Sequence, residues 1–132
     1  MMSRRRQTIG CTLLAIAGIG LSTASFAIAF PMPDPATPDG RHRLAGALAN
    51  LALSAVMTMI ALFPLRAKER WAFFAYTAPL LTYGFPILLI DANHVSRANL
   101  WATLAPQAAG LAIALTGLLL VAPSVFGSRQ DR

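Results

Sequence analysis

Charge is what this chain has least of. Asp, Glu, Lys and Arg make up 12% of its 132 residues, about half of their usual share in soluble proteins. None of the four occurs anywhere in residues 7–33, 44–65, 71–90 or 98–128. A soluble helical bundle needs a charged outer face on every helix, recurring at helical spacing, and these stretches supply none. Cysteine is nearly absent as well. Cys11 stands alone, which excludes an intrachain disulfide and a Cys-x-x-Cys redox pair. No ionisable side chain lies deep within any of the four stretches. Proton-coupled transporters and pumps usually carry one near the bilayer midplane, so the sequence argues against that class.

What is present is apolar. Residues of the hydrophobic types reach 56%, and each uncharged stretch meets the length of about 20 helical residues needed to cross a ~30 Å hydrocarbon core. The expected fold is all-α: four antiparallel transmembrane helices over about residues 8–30, 43–64, 71–91 and 100–122, packed as a compact bundle. They form a single transmembrane domain spanning residues 1–132, with a Pro-rich outer loop over 31–42. Prolines at 31, 33, 35 and 38 favour an extended chain there, and Asp39 is the expected cap of the second helix. Residues 1–30 also resemble a secretory signal, but the apolar run is longer than a signal core of ~7–15 residues, so an uncleaved first helix is expected.

Basic residues give the orientation. Arg4, Arg5, Arg6, Arg66, Lys68, Arg70, Arg129 and Arg132 fall on one side, and Arg41, Arg43 and Arg97 on the other. Positive charge marks the cytoplasmic side, which predicts both termini inside. The bases sit in short clusters beside the helices instead of on one folded basic face. They fit membrane lipid as the partner, with no nucleic acid bound. Arg outnumbers Lys ten to one, a bias that fits a bacterial source and an inner-membrane location.

Helices in lipid associate where small side chains let backbones approach. The first helix offers Cys11, Ala15, Gly18, Ser22, Ser25 and Ala29 along one seam; the second offers Gly46, Asn50, Ser54 and Ala61; the fourth offers Thr103, Gln107, Gly110, Ala114 and Gly117. The third helix carries Pro79 and Pro86 on one face with Gly84 between, which predicts a bend. Pro64 and Pro123 are expected to end helices. Trp71 and Trp101 each open a helix and read as interfacial anchors.

Few groups remain for chemistry. Asn50, Tyr83, Gln107 and Ser22 share one depth, roughly 3–6 Å outward of the helix centres at ~1.5 Å per residue. They either hydrogen-bond across helices or line an outer-half cavity for a neutral or lipid-like ligand. Arg41, His42, Arg43, Asp91 and His94 are candidates for the outer rim. Two histidines and an aspartate are metal-ligand types, but their spacing matches no named site, so no metal and no cofactor is expected. A membrane enzyme would require His42, Asp91 and His94 to converge within about 4 Å.

The junction Glu69-Arg70-Trp71-Ala72, entered through Leu65-Arg66-Ala67-Lys68, resembles a feature of small bacterial four-helix membrane proteins of unknown function. The helix layout over about 44–122 resembles DoxX-like proteins. That resemblance implies the fold and no particular functional residue. The function expected is non-enzymatic, as a scaffold or accessory subunit packing against a membrane-protein partner or a homo-oligomeric copy. The alternative is a binding or permeation protein built on the outer-half polar residues.

Overall fold

The computed structural model describes residues 2–29, 34–94 and 100–127, with side chains given for all of these except 2, 3, 22–29, 94 and 103. Its elements are α1 (Met2–Ala29), α2 (Pro38–Leu62), α3 (Arg70–Pro79), a π turn (Leu80–Gly84), α4 (Phe85–His94) and α5 (Leu100–Phe126). Three segments, Pro38–Leu62, Arg70–Asn93 and Leu100–Phe126, are long and apolar enough to cross a membrane. Their outward faces are apolar too: Leu119 is 75% exposed and Trp101 78%. In water such surface would drive association, whereas lipid tails solvate it.

Local chemistry sets the helix ends, in two places differently from expectation. The second helix starts at Pro38, inside the loop expected over 31–42. Thr37, not Asp39, is its cap, accepting a 3.0 Å bond from the Gly40 amide on Oγ1. Proline at the first helical position has the right φ and lacks only an amide that would be unpaired there anyway. Asp39 instead sits in the first turn, where its charge complements the helix dipole. At the other end of the chain, Pro123 does not stop α5, which runs on to Phe126.

Between Pro79 and Pro86 the chain relaxes into the π turn. The Phe85 amide donates to Leu80 O, five residues back. A proline removes a donor and crowds the carbonyl four residues earlier, and one wider turn relieves that crowding. The bend expected from the two prolines is thus a change of helical pitch.

Packing centres on α1, which lies against both α2 and α5. The approach is backbone to backbone. A Cβ on Gly10 would lie 2.9 Å from Gly117 O, and one on Gly117 would lie 3.0 Å from Gly10 O. A Cβ on Gly18 would strike Thr58 Oγ1 and lie 3.3 Å from Ser54 O. The buried set follows these contacts: Cys11, Leu14 and Ala15 of α1, Ser54, Met57 and Ala61 of α2, Tyr76 of α3, and Ala114 and Val121 of α5. Most of these lie towards the end of the bundle that holds Arg4–Arg6 and the α2–α3 turn, here termed the basic end. Farther along, Gly46 and Gly110 would each find open space around a Cβ. Among the described side chains, the small-residue seams are thus in close contact at Gly18 and Gly117 and open at Gly46 and Gly110, while Ser22, Ser25, Ala29 and Thr103 lie outside the described side chains.

These contacts separate two kinds of helical glycine. Gly→Ala ordinarily favours a helix by about 1 kcal/mol, and Gly110→Ala is expected to be neutral or stabilising. Gly10→Ala is expected to cost about 1–3 kcal/mol through overpacking. Thermal unfolding of both variants in one detergent measures the difference.

Candidate functional site

Two places gather polar side chains. The first is the basic end. After α2 the chain cannot continue its ladder at Pro64, and the Leu65 amide reaches back to Ile60 O at 3.1 Å. One more turn follows and then stops. The Lys68 amide bonds Leu65 O at 3.1 Å, and the Glu69 amide bonds Pro64 O at 2.9 Å. This pair of bonds is a Schellman motif, with Lys68 at the position where glycine is usual. Lys68 accordingly has φ 63°, the one positive value outside glycine among the described residues. A side chain there costs about 1 kcal/mol or more.

From α1, Gln7 adds a second donor to Leu65 O and supplies one to Arg66 O, which accepts no backbone bond in this turn. Gln7 Nε2 donates to Leu65 O at 3.2 Å and to Arg66 O at 3.0 Å. Both amide protons are used, and the side chain is buried. Gln7 thereby fixes the α2–α3 turn beside the start of α1. The result is a concavity of about 340 Å³ lined by Arg4, Gln7, Thr8, Arg66 and Lys68. Thr8 Oγ1 donates to Arg4 O at 3.0 Å, so the free donors of the concavity are its three cations.

One level deeper, Tyr76 is fully buried and its hydroxyl donates to Leu14 O at 2.6 Å. This bond clamps α3 to α1. Beside it Phe73, Phe74 and Phe126 form edge-on ring pairs, with centroids 5.0 Å apart for Phe73 and Phe126. They dock the end of α5 onto α3.

The second place is at the far end of the bundle, where Gln107 Nε2 of α5 donates to Asp91 Oδ2 of α4 at 2.5 Å. Its Oε1 is buried and has no hydrogen-bond partner among the described residues.

The residues expected to share an outer-half site have mixed positions. Gln107 is paired with Asp91, one of the rim candidates. Asn50 and Tyr83 are half-buried on α2 and in the π turn, and no hydrogen bond joins either to Gln107. Ser22 lies on α1, with a side chain outside the described residues. Arg41, His42 and Arg43 are exposed on the first turns of α2, while the side chain of His94 and all of Arg97 lie outside the described residues. Among the described residues no three His, Cys, Asp or Glu side chains gather as a metal site would need.

In the sequence Gln7 and Tyr76 carry no assigned role, and Lys68 only that of a basic residue marking the inner side. Gln7 carried a signal, being a neutral polar residue at the very start of an apolar run. Depth along the third stretch singles out Tyr83, and it gives Tyr76, seven residues earlier, no role. No protein-family model matches the chain, and neither a curated protein nor a solved structure shows a significant match to it.

Both inter-helix bonds are open to test. Tyr76→Phe is expected to lose about 0.5–1.5 kcal/mol of stability. Gln7→Leu is expected to lose about 1–3 kcal/mol, because it takes away the donor that Gln7 gives Arg66 O and the second donor on Leu65 O. Denaturant or thermal unfolding in micelles reads both, and losses near zero would show that the bonds are incidental.

Proposed function

We propose that this chain is a four-pass protein of the bacterial inner membrane, with both termini in the cytoplasm. In this reading it serves as a non-enzymatic scaffold or accessory subunit that packs through α5 against another membrane protein or a second copy of itself. One observation carries the reading. Ala105, Ala109, Ala112 and Thr116 follow one another on α5 at spacings of 4, 3 and 4, and all four are exposed. Small side chains on a helix face let a second helix approach closely. None of the four belongs to the buried set, so this stripe faces outward and is open to an external neighbour. The Thr116 hydroxyl is satisfied within its own helix, donating to Ala112 O at 2.8 Å, so the face meets lipid or another helix without an unpaired donor.

Enlarging the stripe tests this. Ala109→Leu with Ala112→Leu is expected to abolish copurification of the partner, or to lower the mass of the detergent-solubilised particle, with the melting temperature within about 2 °C of the parent. Ala52→Leu, exposed on α2, is the control and should change neither. Unaltered copurification and mass in the double variant would sink the reading.

A second reading, binding or permeation around Asn50, Tyr83, Gln107 and Ser22, is favoured by the orphaned Gln107 Oε1. A buried acceptor left unpaired costs about 1–3 kcal/mol, and a bound ligand would relieve that cost. Here Asn50→Leu and Gln107→Leu are expected to remove ligand binding or flux while the fold survives. Retained binding or flux in both counts against this alternative.

A further inference from the structure

We propose that the concavity at the basic end seats a single phosphate group, carried either by an anionic lipid headgroup or by a soluble phosphate compound. The proposal does not depend on the scaffold reading.

The cluster is built by the fold. Arg4 comes from α1, whereas Arg66 and Lys68 come from the turn after α2, about sixty residues later in the chain. Gln7 draws the two together through its bonds to Leu65 O and Arg66 O. Three cations thus face a volume of about 340 Å³, within the ~300–1,000 Å³ span of small-ligand clefts. No acidic side chain lines it, and none of the three forms an ion pair among the described residues. Like charges held together repel unless an anion joins them.

Lys68 supplies an independent observation. It holds a left-handed backbone conformation at a helix-terminal position where glycine would sit without strain. Such strain is characteristically kept where it aims a side chain at a functional site. The donor set defines the ligand class. Two guanidinium forks and one ammonium suit the several oxygens of a tetrahedral phosphate. The hydroxyl proton of Thr8 and both amide protons of Gln7 are already committed, so nothing in the site selects a neutral ligand. Trp71 opens α3 directly beyond the turn and is exposed, at the headgroup depth that indole rings favour.

The test compares two charge-matched double variants of the full chain in nanodiscs: Arg66→Gln with Lys68→Gln, and Arg5→Gln with Arg6→Gln. Arg5 and Arg6 are exposed on α1 and do not line the concavity. Native mass spectrometry reads retained phosphatidylglycerol against phosphatidylcholine. The first variant is expected to lose the preference for phosphatidylglycerol at least about tenfold, and the second no more than about threefold. Lys68→Gly checks folding, because it removes one cation together with the backbone strain. It should keep or raise the melting temperature while lowering the preference about threefold. Inorganic phosphate titrated into phosphatidylcholine-only discs distinguishes the sources. A thermal shift that needs Arg66 and Lys68, without any lipid preference, assigns the seat to soluble phosphate. Equal losses in both double variants, or no loss in the first by either readout, overturn the proposal and leave only general attraction between bases and the membrane surface.

Discussion

The structure depends on how closely α1 approaches two other backbones. Its Gly10 faces Gly117 of α5, and its Gly18 faces Ser54 and Thr58 of α2, at distances that leave no room for a Cβ. Between apolar helices in lipid there is little hydrophobic gain from contact, so cohesion comes from dispersion at short range and from the few polar groups that meet. A single methyl at either crossing would push the helices apart and forfeit both. Because α1 is shared by the two crossings, it also sets where everything at the basic end sits: the Leu14 carbonyl reached by Tyr76, and the Gln7 amide reached by the α2–α3 turn.

The polar groups follow one rule at the basic end and another at the far end. Along the helices, threonines return their hydroxyl protons to the carbonyl four residues back, as Thr12, Thr58, Thr77 and Thr82 do. That habit satisfies the side chain without needing a neighbour. At the basic end the remaining groups bond across helices, with Gln7 and Tyr76 each reaching a main-chain carbonyl. A main-chain acceptor is a fixed target, so these bonds define register as well as attraction. At the far end Gln107 meets Asp91 by one atom and leaves the other without a partner among the described residues. Towards that end Gly46 and Gly110 would leave open space around a Cβ, whereas Gly40 is closed in by Asp34 and Thr37. Among the described residues, the side-chain bonds to main-chain carbonyls of another helix or turn thus gather at the basic end.

The two proposals draw on different parts of this asymmetry. An external helix against the exposed alanines of α5 would extend the packing mode already used inside. A phosphate among Arg4, Arg66 and Lys68 would neutralise a cluster that the internal bracing creates. Either would add cohesion without any change in the helices themselves.

Much of the fold was legible in the residues alone, because it depends on sums over neighbours in sequence. Long uncharged runs, prolines spaced seven apart, tryptophans at helix starts and the basic bias of one side each act within a turn or two. They determined the helices, the capacity of three of them to cross a membrane, and an irregularity between Pro79 and Pro86, which the structure makes a π turn instead of the expected bend. Cap chemistry was equally local, and the Thr37–Pro38 start was there to be read although Asp39 was favoured. The tertiary structure alone decided which polar residues meet. A helix that is small or apolar on most faces can rotate and slide with little change in local energy, so sequence pointed to Tyr83 by its depth, gave Tyr76 no role and gave Gln7 no partner. Only when glycine crossings fix rotation and depth does Tyr76 face a carbonyl, does Gln7 reach the turn, and do Arg66 and a strained lysine of that turn come to stand beside Arg4, about sixty residues away in the chain.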